Sequence, residues 1–145
     1  MIKKSLSVLF FILLPNFITL SYADNNFFIK AEKKYLEKNY EDSKFLFQRN
    51  IVFNPKDISS YLYLAKIYNI EENKNEEKKN IDTVLLLDPK NEEGIYMKIE
   101  IELKDSNYSK VRELTETFSK VCKSLCEKKN LILDSLKNLE PKNES

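Results

Sequence analysis

The chain has 145 residues, with 24 Lys and Arg, 23 Asp and Glu and no His, for a formal net charge of +1. A near-neutral chain with interspersed signs supplies no electrostatic footprint for nucleic acid, and the absence of His removes the commonest general base, the imidazole of nucleophilic triads and the most usual metal ligand. One Gly and four Pro beside abundant Lys, Glu, Leu, Ile and Asn favour an all-α chain over sheets with tight turns.

The first element in chain order reads as a targeting segment. Lys3 and Lys4 give a positive start, an apolar run from Leu6 to Leu20 is interrupted by Pro15-Asn16, and Ser21-Tyr22-Ala23 places small residues ahead of Asp24-Asn25-Asn26. This is the layout of a secretory signal peptide over 1–23, cut after Ala23. A membrane anchor needs about 20 uninterrupted apolar residues, which this run lacks, so no integral span is expected after cleavage. Loss of Lys3 and Lys4 takes the net charge to about −1, and the remaining length suits one domain.

Beyond the leader the chain repeats. Asn54-Pro55-Lys56 and Asp88-Pro89-Lys90 stand 34 residues apart; each follows an apolar run, and each precedes an N-cap candidate, Asp57 or Asn91. Between them lies Tyr61-x-x-Leu64-Ala65-x-x-Tyr68. On these residues the chain resembles the tetratricopeptide repeat family, whose unit is a 34-residue helical hairpin with an aromatic-x-x-Leu-small-x-x-aromatic first helix and a Pro after the second. Phe27, Ala31, Tyr40, Ser43, Phe47 and Pro55 match it in a first unit. In the second unit Glu77 stands where a small apolar residue is expected and Lys74 where an aromatic is usual, so the turn around 71–75 is expected to be longer or shifted. The third unit keeps an apolar face through Ile95, Ile99, Leu103, Tyr108, Val111, Leu114 and Phe118, with Ile99 at the small position and no closing Pro.

The resemblance spans about 25–121 and implies an α-α superhelix, a TPR-like solenoid of about three hairpins. Helices are expected near 26–38, 41–53, 58–70, 75–87, 92–104 and 108–121, giving units of about 24–57, 58–91 and 92–122 within a repeat domain over 24–139. A terminal hairpin exposes an apolar face that nothing stacks on. Leu131, Ile132, Leu136 and Leu139 make a stripe suited to cover it, so a capping helix is expected over 127–139, followed by a frayed tail over 140–145.

Paired carboxylates occur at Glu71-Glu72, Glu76-Glu77 and Glu92-Glu93, none beside a nucleophile or a Gly-rich loop. They read as solvated faces or first-turn dipole partners. Phosphate-loop and dinucleotide fingerprints are impossible with Gly94 as the only Gly. Cys122 and Cys126 are too few ligands for a closed zinc site and lack the two-residue spacing of a redox centre. In an oxidising compartment they favour a disulfide over free thiols. Residues four apart in a regular helix hold their Cβ atoms about 5–6 Å apart. A disulfide needs roughly 3.5–4.5 Å, so the sixth helix is expected to stop near Cys122, with Lys123-Ser124-Leu125 as a turn.

No catalytic residue, metal, cofactor or small-molecule substrate is expected. A second set of positions recurs at 34-residue steps on the first helices: Phe28, Leu62 and Tyr96; Glu32, Lys66 and Glu100; Tyr35, Asn69 and Leu103. The family resemblance implies that this face lines a concave groove for a peptide or partner helix; the competing expectation is a groove filled by the chain's own C-terminal helix. The function expected is a non-catalytic scaffold or adaptor of the bacterial envelope, periplasmic or secreted, that binds a protein or peptide. The alternatives are a subunit of an envelope enzyme complex and a secreted effector acting on a host protein.

Overall fold

The computed structural model describes residues 24–139; the expected leader with its cut after Ala23 and the expected tail over 140–145 lie outside the described residues. Seven helices run in order: α1 Asp24–Leu36, α2 Tyr40–Phe53, α3 Ile58–Ile70, α4 Lys74–Leu87, α5 Glu92–Lys104, α6 Tyr108–Val121 and α7 Lys128–Leu139. The described residues are all-helical, and each helix lies within two residues of its sequence expectation. The chain divides into two compact units, one ending at Pro55 and one beginning at Lys56.

In the first unit α1 and α2 form a hairpin around Ala31 and Phe47, both fully buried. Ser43 is small enough for close approach, and its buried hydroxyl donates to the Ala31 carbonyl at 2.9 Å. Phe28 meets Phe47 edge-on at 5.6 Å, and Phe27 stacks on Phe53 at 5.7 Å under the Arg49 guanidinium.

In the second unit α3 pairs with α4, α5 with α6, and α7 packs on both α5 and α6. One apolar cluster joins Leu62 and Ala65 of α3, Ile81 and Val84 of α4, and Met97 and Ile101 of α5. Another joins Ile95 and Ile99 of α5, Val111 and Phe118 of α6, and Ile132 and Leu136 of α7. The stripe read as a cap is thus split. Ile132 and Leu136 are buried, whereas Leu131 and Leu139 stay exposed.

The turns inside the hairpins repeat as closely as the helices. Lys38, Glu72 and Ser106, at 34-residue steps, all adopt left-handed backbone with φ of 59°, 56° and 55°. At each, the next amide returns to the helix just ended: Asn39 to Lys34, Asn73 to Tyr68 and Asn107 to Glu102. These bonds satisfy carbonyls that a helix end would otherwise leave open. The turn around 71–75 is therefore neither longer nor shifted, contrary to the sequence expectation. Glu77 fits because its carboxylate, on a residue only 4% exposed, accepts from Asn69 Nδ2 at 2.7 Å, which offsets part of the cost of burying a charge.

Candidate partner-binding face

The first-helix positions expected to contact a partner fall into distinct environments. In the first unit Phe28, Glu32 and Tyr35 are half-buried. Phe28 leans on Phe47, and Tyr35 meets Tyr40 edge-on at 5.6 Å, so both rings are pre-ordered by the second helix of their own hairpin.

In the second unit Leu62 is a correction. It is 8% exposed and belongs to the cluster that holds α3, α4 and α5 together, so it is core rather than groove lining. Its position follows Asp57 by five residues, and the apolar run Tyr61 to Ala65 leaves periodicity unable to say which large side chain turns inward. Lys66 is half-buried, with its ammonium 2.6 Å from Glu93 at the start of α5 and 5.0 Å from the Tyr63 ring. Asn69 is engaged with Glu77.

Tyr96 and Leu103 pack against the cluster that contains Ile132 and Leu136 of α7. Tyr96 lies 6.2 Å from the Phe118 ring, with the Lys128 ammonium 5.9 Å from its centroid. Burial, reinforced by a hydrogen bond to Glu100, pushes the Tyr96 hydroxyl up to about 12. Along α5, then, the C-terminal helix shares the apolar surface that the face would otherwise offer. Lys66, Asn69 and Glu100 keep partial exposure.

The end of this unit is organised by the expected turn and by Glu92, whose role sequence reasoning missed. Helix α6 stops at Val121, and Cys122 has extended backbone with φ −60° and ψ 145°. Cys122 and Cys126 stand at disulfide distance with Cα atoms 5.2 Å apart, around the turn expected at 123–125. The carboxylate of Glu92 reaches this loop and accepts from the backbone N–H of Lys123 at 2.6 Å, of Ser124 at 3.1 Å and of Leu125 at 3.3 Å, and from the Ser124 hydroxyl. The Lys123 amide above all, with the Ser124 hydroxyl next, holds the Glu92 carboxyl down at about 2. The 34-residue register explains the arrangement. Cys122 occupies the place of Asn54 and Asp88, and Lys123 that of Pro55 and Pro89. In the preceding connection Asp88 ties its own turn, accepting from Lys90 N at 3.0 Å. Where Cys stands instead, the carboxylate comes from Glu92 on a neighbouring helix.

The two acids Glu92 and Glu93, read from sequence as one solvated pair, thus serve separate elements, the α6–α7 loop and α3. The Cys122 and Cys126 spacing signalled the loop, and nothing local signalled that Glu92 would hold it. No helix among the described residues is long and apolar enough to cross a membrane.

Comparison with known proteins finds the fold. The sequence matches no protein-family model and no curated protein. Among solved structures the chain is similar to the TPR2B domain of yeast Sti1, in a structure described as a complex with pHsp70, with TM-score 0.70 and 11% identity over 79% of this chain and 96% of that one. It is also similar to the type III secretion chaperone SycD of Yersinia enterocolitica in complex with a peptide of the translocator YopD, with TM-score 0.68 and 16% identity over 80% of this chain and 91% of that one. The TPR domain of Sgt2 from Aspergillus fumigatus follows, with TM-score 0.64 and 11% identity over 85% and 87%. The described helices form a TPR-like fold.

Proposed function

We propose that this chain is a non-catalytic protein-binding module of the bacterial envelope, delivered by a leader cut after Ala23, which holds a partner peptide or helix on the first helices of its hairpins. The observation that carries the reading is the recurrence, at 34-residue steps, of the half-exposed polar positions Glu32, Lys66 and Glu100 on α1, α3 and α5. On α1 and α5 they lie beside aromatic side chains already ordered by packing, which lowers the entropy cost of binding. That Sti1 and SycD are seen in complexes supports the same use of the fold. Within the second unit the face differs from a uniformly open one because Leu62 belongs to the core and α7 packs beside Tyr96 and Leu103. Anchoring within the second unit therefore falls to Lys66, Asn69 and Glu100, and the first unit taken by itself offers Phe28 and Tyr35.

Site-specific photo-crosslinking in the native envelope tests this. A benzophenone side chain at Lys66 or Glu100 should capture one common partner, and the same group at Lys78, exposed on α4, should not. Equal capture from all three positions, or none from the first two, would remove the first-helix face as the interface. N-terminal sequencing of the periplasmic fraction should begin at Asp24.

A further inference from the structure

The second unit contains two seams of the same kind, where a first helix lies against the second helix of the hairpin before it, and only one of them is closed. At the α4/α5 seam Gly94 faces Val84 and Leu85 without a side chain between them. Four residues on, Lys98, its side chain only 11% exposed, reaches across to Asp82 at 2.7 Å, and Ile101 completes the contact from within the apolar cluster.

At the α6/α7 seam Lys129, Leu133 and Leu136 carry the same four-and-three spacing towards α6, and Glu116 stands 34 residues after Asp82. Here a lysine and a leucine face α6, one residue out of the 34-residue register, and no cation from α7 is paired with the acid as Lys98 is with Asp82. The helices accordingly leave a cleft of about 440 Å³, open to solvent along one side. Such a volume lies within the range of ligand sites, about 300–1,000 Å³.

Its lining is two-sided. Leu133 remains 45% exposed beside the buried Leu136. On the α6 wall the hydroxyls of Thr115 and Ser119 donate back into their own helix, to Val111 O and Thr115 O, both at 2.7 Å, so neither offers its proton to the cleft. The rim carries Lys120, Lys129 and Arg112 against the single acid Glu116. Three cations to one anion around an apolar floor is a local excess in a chain whose charges otherwise balance.

We propose that this cleft is a second binding site, for an acidic peptide segment that inserts one large aliphatic or aromatic side chain onto Leu133 and Leu136 between carboxylates held by Lys120 and Lys129. The open side lets a chain pass along the cleft, and the charge excess selects its sign. The site is separate from the first-helix face and does not depend on a partner binding there.

The probe is an acetylated, amidated hexapeptide, Asp-Glu-Leu-Phe-Glu-Asp, titrated into the full mature chain labelled with nitrogen-15 and followed by NMR at low salt. Shifts should concentrate in 115–120 and 129–136, and high salt should weaken binding. Lys120→Glu with Lys129→Glu, both exposed and outside the buried clusters, should weaken it about tenfold or more. Leu133→Ala should weaken it severalfold while leaving the salt dependence in place, and a version of the peptide with Lys for each acid should not bind. The proposal is overturned if the shifts map to other helices, if acidic and basic peptides bind alike, or if the charge reversal leaves affinity unchanged. It is equally overturned if decanoate, a small amphipathic anion, saturates the same resonances while the peptide does not.

Discussion

The only glycine of the chain provides the sharpest test of the packing described above. Gly94 sits in the first turn of α5, buried, its N–H donating to Asn91 Oδ1 at 2.9 Å. A Cβ there would lie 2.7 Å from Val84 Cγ1, 3.2 Å from Leu85 Cδ2 and 3.4 Å from Asn91 Oδ1. Replacing Gly by Ala in a helix gains at most about 1 kcal/mol of propensity. Against that, Val84 is fully buried and β-branched, so its methyl cannot swing aside, and overpacking of this kind costs about 1–3 kcal/mol. Leu85 meets the new atom with the end of a flexible side chain and can yield. The collision therefore wins, and Gly94→Ala should destabilise the chain by about 1–2 kcal/mol. Val84→Ala alone should cost roughly 2 kcal/mol through its cavity. In that background Gly94→Ala should become neutral or stabilising by up to about 1 kcal/mol, a coupling within the about 0.5–3 kcal/mol seen for touching residues. Urea denaturation followed by far-UV circular dichroism on all four proteins closes the cycle. A Gly94→Ala protein more stable than the parent, or two effects that simply add, would refute the close approach of α5 to α4.

Three further outcomes follow from individual contacts. Leu62→Ser removes a buried side chain and places a hydroxyl in its cluster, so it should lower stability by about 2–5 kcal/mol, whereas Tyr35→Ser should cost less; comparable melting curves would return Leu62 to the surface. Glu92→Gln should lower the melting temperature at neutral pH and make little difference near pH 2. The folded carboxyl titrates at about 2, below its usual 4.5, so its stabilisation is complete above 4.5 and lost as pH falls through 2; a penalty constant across that window would contradict the loop contacts. Glu72→Gly should stabilise by about 0.5–1 kcal/mol, because the left-handed backbone suits Gly, and a lower midpoint in urea would argue against the repeated turn.

The helices were legible because each hairpin carries its own periodic signal. Proline after α2 and α4, apolar residues at helical spacing and capping Asn or Asp residues all agree in register, so local preference and packing point the same way. The turns were misjudged although a signal was there: Asn39, Asn73 and Asn107 recur at 34-residue steps and follow the three left-handed residues. Expecting Glu77 to distort its turn weighed its charge without its acceptor capacity, which Asn69 meets from the facing helix. Leu62 was assigned outward because a run rich in Tyr, Leu and Ala presents large side chains on every side of α3, and only the neighbours decide which are buried. The embrace of the 123–125 loop by Glu92 lies beyond local reasoning, since three backbone N–H groups have no signature in side-chain identity. The open α6/α7 seam does not follow from the 34-residue register, which sets Lys128 and Ile132 against Gly94 and Lys98, whereas Lys129 and Leu133 line the cleft.

The central claim, that the first helices hold a partner, is tested most directly by co-purification from the envelope with Tyr35→Ser combined with Lys66→Glu, read beside the thermal melt of the same protein. The account predicts that capture of the crosslinked partner is lost while helical content and melting temperature stay close to the parent, because both side chains are half-exposed and neither belongs to the buried clusters. Full capture by the double variant, or loss of capture only in step with a large fall in melting temperature, would contradict it.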